Sequence, residues 1–418
     1  MRVLIVTEMW PPNSGSFVFE HVRALADFAR IDVVVLVSVP PSLRRYQKFQ
    51  SSLAALAHQA GPHRMPELGP QASIYYLPYR TIPEISKYIN SWQALRSLVN
   101  FLRRRLERFD LIHAHFAYTA GFAAAWAGKR FRIPVVITAH NSDIHVYSRR
   151  RPRNFVAALF TIWGLRHVAA LNVVSADLAK KVLALGVPEH KIAVIPVGVP
   201  ASIFYRRGEK KIIRRQLGLS ENAIIFLFVG YFIARKGGQF LLRAFADVCR
   251  RLPAEKAAKM SLLMIGNGEL ETDWKQLAKN LEIERQIIWP GAKPNSEISA
   301  WMNAADFLVL PSLGEGTPTV LMESLACGTP VIASRVGGVP EILISPDFGT
   351  IVPPGDSDAL ANAMFEAIAK PVDTKKISRY GQTHTWDERI KRLLNLYQNV
   401  LGNQRHSVQS NLIRSTID

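Results

Sequence analysis

Two carboxylates, Glu315 and Glu323, stand in the run Pro311-Ser-Leu-Gly-Glu-Gly-Thr-Pro-Thr-Val-Leu-Met-Glu-Ser-Leu-Ala-Cys-Gly-Thr-Pro-Val-Ile-Ala-Ser334. An ionised carboxylate only accepts hydrogen bonds, and its oxygen pair can take both hydrogens of a vicinal diol. The run reads strand, loop, helix, strand. Thr317 suits an N-cap, Pro318 the first helical position, and Gly328 with Pro330 a stop. A helix starting there points the free N–H groups of the stretch Gly316, Thr317, Thr319 and Val320 at the preceding loop, which suits a phosphate. Glu323 falls one turn beyond Thr319. Two carboxylates flanking a phosphate site imply a nucleotide that bears a sugar.

Such a loop needs strands to hold it. Short β-branched runs alternate with longer helical stretches through all 418 residues, the pattern of wound α/β domains with parallel sheets. The first half offers strands at Val3–Thr7, Val33–Val39, Ile74–Leu77, Leu111–Ala114, Val135–Thr138, Leu171–Val174 and Lys191–Pro196. The second offers Ile224–Gly230, Ser261–Ile265, Ile287–Trp289, Phe307–Leu310, Val331–Ser334 and Thr350–Val352. That supply fits two similar units, 1–200 and 205–384, with breakers and charge between 198 and 210 and a cleft between the units. Trp386, Ile390, Leu393, Leu394, Tyr397 and Leu401 recur at helical spacing, which predicts a helix over about 385–402 and a disordered polar tail over 403–418.

Composition narrows the partners. Lys and Arg total 52 against 33 Asp and Glu, a net charge of +19, and residues 1–200 hold 25 basic against 11 acidic residues, +14 of that excess. Something anionic is expected to meet this half: nucleic acid, a membrane face or a phosphorylated substrate. No recognition motif or interleaved aromatic platform supports nucleic acid. Trp92, Leu95, Val99, Leu102, Leu106 and Phe109 share one side of a stretch ringed by Arg96, Arg103, Arg104 and Arg105, either a helix packed on its sheet or one lying on a membrane surface. The Arg149-Arg-Arg-Pro-Arg153 run is either a charged loop or a phosphate clamp. The opening MRVLIVTEMW reads as a buried strand rather than a signal peptide, and Phe116 to Gly128 is too short to span a bilayer. Cys249 and Cys327 fit no disulfide or metal spacing, so a reducing cytosolic compartment is expected.

Glu315 and Glu323 also stand at the Glu-x7-Glu spacing of the retaining glycosyltransferases of family four, and the chain resembles that family along nearly its whole length. Further matches are Pro11-Pro-Asn-Ser-Gly15, Asp110-Leu-Ile-His-Ala-His115, Ile137-Thr-Ala-His140-Asn-Ser-Asp143, Val174-Ser175, Gly230 to Lys236-Gly237, Gly266-Asn-Gly268 and Gly337-Gly338-Val-Pro-Glu341. The resemblance implies the GT-B architecture: two Rossmann-like doubly wound domains facing a cleft, with a C-terminal helix crossing back to the first. It also implies no metal and no cofactor, the donor being a UDP- or GDP-linked sugar. Carried over, Glu323 holds the nucleotide ribose, Glu315 the donor sugar, and Lys236 neutralises the diphosphate. His140 sits near the transferred sugar, and Gly15 lets the first loop approach the phosphates. His115 and Asp143 stand as acceptor or sugar contacts, the alternatives being a packed histidine and a loop cap. The negative charge that grows on the leaving phosphate calls for such cationic and N–H stabilisation.

Three positions depart from the family pattern. Tyr231 replaces the Arg that usually follows Gly230, with Arg235 as a substitute; Val197-Gly-Val-Pro200 lacks the polar residues of the usual turn; and the first glycine pair reads Gly15-Ser16. The expected activity is a hexosyl transfer without metal, at the inner face of the cell membrane, to a glycan on a lipid diphosphate carrier in cell-surface polysaccharide assembly. The rivals are a weakly active or inactive binding module of the same fold, and another GT-B enzyme such as an epimerase or a phosphorylase.

Overall fold

The computed structural model describes residues 1–10, 16–39, 61–80, 87–140, 142–145 and 155–415. The chain divides into two compact units, Met1–Pro196 with Asp387–Asp418, and Val197–Trp386. Gly15 and the arginines of 149–153 lie outside the described residues.

The first unit carries β1 (Arg2–Thr7), β2 (Arg30–Val39), β3 (Ala72–Arg80), β4 (Leu111–His115), β5 (Val135–Ala139), β6 (Ala170–Val173) and β7 (Ile192–Val194). Their spatial order is β3-β2-β1-β4-β5-β6-β7, and every pairing is parallel. Parallel strands are covered by helices on both faces, which is why β1 and β4 read as unbroken buried runs. Val3 and Ile5 of β1 share a core with Val18, Val22 and Leu25 of the helix Ser16–Leu25. Ile390, Leu393, Tyr397 and Val400 of the helix Trp386–Ser415 enter the same core, so the end of the chain packs on the unit in which it began.

The second unit carries β8 (Ile224–Val229), β9 (Met260–Ile265), β10 (Ile287–Gly291), β11 (Phe307–Leu310), β12 (Val331–Ser334) and β13 (Gly349–Val352), ordered β10-β9-β8-β11-β12-β13 and again all parallel. Both sheets wind outward from their first strand for three strands, then return to its other side. The winding reverses between β1 and β4, and between β8 and β11. In open parallel sheets the crevice at the carboxyl ends of such a strand pair is where ligands bind.

Four expectations are corrected. The unit boundary falls at Pro196/Val197, because Val197 and Val199 are buried and Val199 exchanges backbone bonds with His384 and Trp386. The last helix does not stop near 402, since its backbone stays helical to Ser415; nothing after Gly402 is a proline or another strong stop. The basic helix spans Lys87–Arg103 and buries Ser91, Ala94, Leu95, Leu98 and Leu102. Trp92 is left 44% exposed and Leu106 lies in the open beyond the helix end. Thr317 is no N-cap: the helix runs Thr319–Ala326, with Pro318 at its cap in an extended conformation.

Candidate functional site

In the second unit β8 ends at Val229 and β11 at Leu310, the two strands beside the reversal, and the loops that follow them meet. After β8 the chain passes Gly230 and the exposed Tyr231, then makes a 3-10 turn, Ala234–Lys236, before the helix Gly238–Arg251. After β11 it runs through Pro311–Gly316. Lys236 Nζ donates to Glu315 Oε1 at 2.7 Å, and Ser312 Oγ donates to the same oxygen at 2.6 Å. Arg235 donates to the Gly314 carbonyl at 2.8 Å and stands 3.5 Å from Glu315 Oε2. The side chains of Glu315 and Lys236 are only 7% and 14% exposed. Residues read with separate duties, the sugar carboxylate and the phosphate cation, are therefore one ion pair.

Glycines make the meeting sterically feasible. Gly237 adopts φ 69°, and a Cβ there would lie 2.1 Å from the Pro311 carbonyl oxygen. Gly337, at φ 51°, approaches from the other side, where a Cβ would lie 2.1 Å from the Glu315 carbonyl oxygen, while Gly338 N–H donates to Gly316 O at 2.7 Å. The carboxylate loop is thus held between two backbones that tolerate no side chain.

Glu323 lies in the helix Thr319–Ala326, half-buried, and accepts a hydrogen bond from the Thr319 hydroxyl one turn earlier. Desolvation pushes its carboxyl up to about 7, the Thr319 bond opposing that rise. Its cap residue, Pro318, makes no side-chain bond to the first-turn N–H groups.

The first unit answers with histidines. His113 and His115 project from the same face of β4, two residues apart, and are buried there with His21 of the helix Ser16–Leu25. His21 Nδ1 lies 2.8 Å from His115 Nε2, and His115 Nδ1 lies 3.0 Å from His140 Nε2. His113 bonds Tyr397 OH through Nδ1 and Thr138 Oγ1, at 2.7 Å, through Nε2. Burial holds His21 and His140 down at about 3, and burial with the neighbouring rings holds His113 and His115 well below the usual imidazole range. Asp143 is buried and accepts from the N–H groups of Ala117 (2.7 Å) and His140 (3.0 Å), so it serves as a loop cap in the described structure. Phe116, a non-glycine residue at φ 73°, makes the turn that brings Ala117 to it.

His21, Glu8, Ser312 and Tyr397 were not singled out as polar partners by the sequence. Glu8 follows β1 directly and accepts from Tyr79 OH at 2.8 Å, with burial raising its carboxyl to about 7. Its place at the end of the first strand was the available signal. The nitrogens of His21, His113 and His115 lie within 4.8 Å of one another, as for a metal site. Two imidazole nitrogens on a tetrahedral zinc sit ~3.3 Å apart at Zn–N of about 2.0–2.1 Å. The 2.8 Å between His21 and His115 is a shared hydrogen bond, and those rings would have to separate to admit an ion.

A family profile described as "Glycosyl transferases group 1" matches residues 209–384, and one described as "Glycosyl transferase 4-like domain" matches residues 15–198. Over 387 residues the chain is 29% identical to a Bacillus subtilis protein named as a teichuronic acid biosynthesis glycosyltransferase, TuaC, covering 89% of this chain and 91% of that one. Among solved structures, sucrose-phosphate synthase from Thermosynechococcus elongatus superposes with a TM-score of 0.70 at 21% identity, over 99% of this chain and 100% of the other. Anabaena HepE in complex with UDP-glucose gives 0.66 at 17%, over 97% and 100%. These likenesses establish the GT-B fold.

Histidines kept neutral by folding bind fewer protons than they do when unfolded, so their contribution is complete above pH ~6.5 and is lost as pH falls through the unfolded value toward the depressed folded one. The half-buried Glu8 acts in the opposite sense, losing stability as pH rises from about 4.5 to about 7. A comparison with a variant isolates one ring. Between pH 6.5 and 4, urea denaturation of His113→Gln is expected to show a slope of stability against pH shallower than wild type by up to about 1.4 kcal/mol per unit; equal slopes would show that His113 is charged in the fold.

Proposed function

This chain belongs to the glycosyltransferases of family four, and on that premise we propose that it moves a hexosyl group from a nucleotide diphosphate donor to an acceptor hydroxyl with retention of anomeric configuration. The observation that carries the reading is the Lys236–Glu315 pair at the carboxyl ends of β8 and β11. An ammonium has three hydrogens, and one is used on Glu315; the others suit the oxygens of a diphosphate. Glu315 Oε2 keeps acceptor capacity for a sugar hydroxyl, and Glu323 offers a second carboxylate for the ribose diol. Because burial already resists ionisation of Glu323, hydrogen bonds from a diol favour release of its proton.

As the glycosidic bond breaks, charge grows on the leaving phosphate, where Lys236, Arg235 and the first-turn N–H groups of Thr319 and Val320 stabilise it. These donors fill the place a divalent cation would take, in keeping with transfer that needs no metal. The acceptor hydroxyl attacks from the face the phosphate leaves, and the phosphate oxygen receives its proton. His140 contacts the transferred sugar. Anabaena HepE, a structural neighbour, was solved in complex with UDP-glucose, which supports a UDP-linked donor here, with GDP as the alternative base. The name of the Bacillus subtilis relative supports a growing cell-surface glycan, carried on a lipid diphosphate, as acceptor.

The +14 of residues 1–200, with the exposed Trp92 and the exposed Leu106 that follows Arg103, Arg104 and Arg105 in the chain, supports a peripheral, cytoplasmic position on an anionic membrane. No described helix is long and apolar enough to cross one. A second reading, a weakly active binding module, is favoured by Tyr231, which is 58% exposed at the position where the family places a cation.

A panel of UDP- and GDP-sugars is expected to give one thermal shift that rises with ligand concentration. Glu323→Ala should weaken that donor by about 10- to 100-fold, the size of a lost charged hydrogen bond; unchanged binding would remove Glu323 from the site. A shift without turnover would favour the binding module. Pelleting with anionic vesicles should be strong at low salt and fade as the Debye length shrinks to about 3 Å at 1 M. Absence of pelleting at low salt would contradict the membrane position.

A further inference from the structure

Four histidines meet in the first unit, and the reaction proposed above uses one of them. His115 bonds in both directions, through Nε2 to His21 Nδ1 at 2.8 Å and through Nδ1 to His140 Nε2 at 3.0 Å. His113 is engaged separately, between Tyr397 and Thr138. A neutral imidazole has one N–H and one lone pair, so its two bonds cannot be chosen independently. Burial keeps all three rings of the row neutral.

Two arrangements keep both bonds of the row. In one, His21 Nδ1–H donates to His115, His115 Nδ1–H donates to His140 Nε2, and His140 carries its proton on Nδ1. In the other, His140 Nε2–H donates to His115, His115 Nε2–H donates to His21, and His140 Nδ1 is an acceptor. Passing from the first to the second shifts a proton along each bond, releases one from His140 Nδ1 and takes one up at His21 Nε2. That last nitrogen is buried, so the two arrangements interconvert only when all the protons of the row move together. The three tautomers are therefore set as a group.

We propose that His115, backed by His21, is a positioning residue that ties the tautomer of His140 to the rest of the row, so that the row as a whole sets whether His140 Nδ1 meets a hydroxyl of the transferred sugar as donor or as acceptor. The proposal rests on the reading of His140 as a sugar contact. The ring is held for this purpose: Phe17 and Phe116 pack on it with centroids 4.6 and 4.8 Å away, and its backbone N–H is fixed on Asp143. Among the described residues His140 Nδ1 bonds to no protein group, which leaves it to the substrate.

Histidine-selective 15N labelling of the full chain, with imidazole 15N–1H correlation spectra, reads the tautomer directly. Wild type, His115→Phe and His21→Phe would be compared, with kcat and KM measured in parallel. Wild type is expected to hold His140 in a single tautomer. Both variants should convert it to a mixture and lower kcat about tenfold or more, with donor KM moving less than about threefold. His21→Phe leaves the His115–His140 contact in place and covers the case in which His115→Phe does not fold. A mixture already present in wild type, or the same single tautomer in wild type and His21→Phe, overturns the proposal. Full kcat in His140→Ala would instead overturn the reading of His140 as a sugar contact, a failure the tautomer signals distinguish because they need no turnover.

Discussion

A carboxylate that is 7% exposed has to be paired, and the second unit is arranged around that requirement. Glu315 meets Lys236 across 79 positions of sequence, which ties the loop after β8 to the loop after β11. Those strands flank the reversal of the winding, so the pair sits where the fold leaves a crevice. The constraint explains neighbours that have no chemistry of their own. Gly237 and Gly337 let two backbones close on the carboxylate loop, and Ser312 supplies a second donor to the same oxygen.

The first unit solves a related problem by the opposite means. Its sheet reverses between β1 and β4, and the polar groups at that point are Glu8 and the histidines of β4. Here burial wins over ionisation: rings at His21, His113, His115 and His140 are kept neutral, and Glu8 is pushed toward its neutral form. The same winding therefore presents a charged pair in one unit and a neutral hydrogen-bonded row in the other. The charged pair suits a diphosphate and the neutral row suits hydroxyls.

Much of this was legible in the residues. The thirteen strands among the described residues could be read from β-branched runs, most plainly the buried central ones, whose pattern has no interruption. Glu315, Glu323 and Lys236 stood out from their neighbours in the sequence, and the structure brings Lys236 and Glu315 together. Their bonding was not legible there, since nothing local tells Lys236 that its partner lies 79 positions away, or His113 that it will meet Tyr397 across 284. The helix start was misplaced by one residue because Pro318 suits both a first helical position and an extended cap; here ψ 107° decides for the cap. The face of the basic helix was read in part: Leu95, Leu102 and Phe109 go inside as the spacing placed them, but the buried face is centred on Ala94 and Leu98, which leaves Trp92 out.

Everything proposed for the second unit depends on where the donor binds. Amide hydrogen exchange, recorded with and without the nucleotide sugar that stabilises the chain, addresses this without an acceptor and without a substitution. Peptides covering Gly230–Gly237 and Pro311–Glu323 are predicted to gain protection together, as the paired loops and the helix start close on the diphosphate and the sugar. Protection confined to other parts of the chain, with both of these segments exchanging as before, would contradict the assignment of the Lys236–Glu315 pair as the donor site.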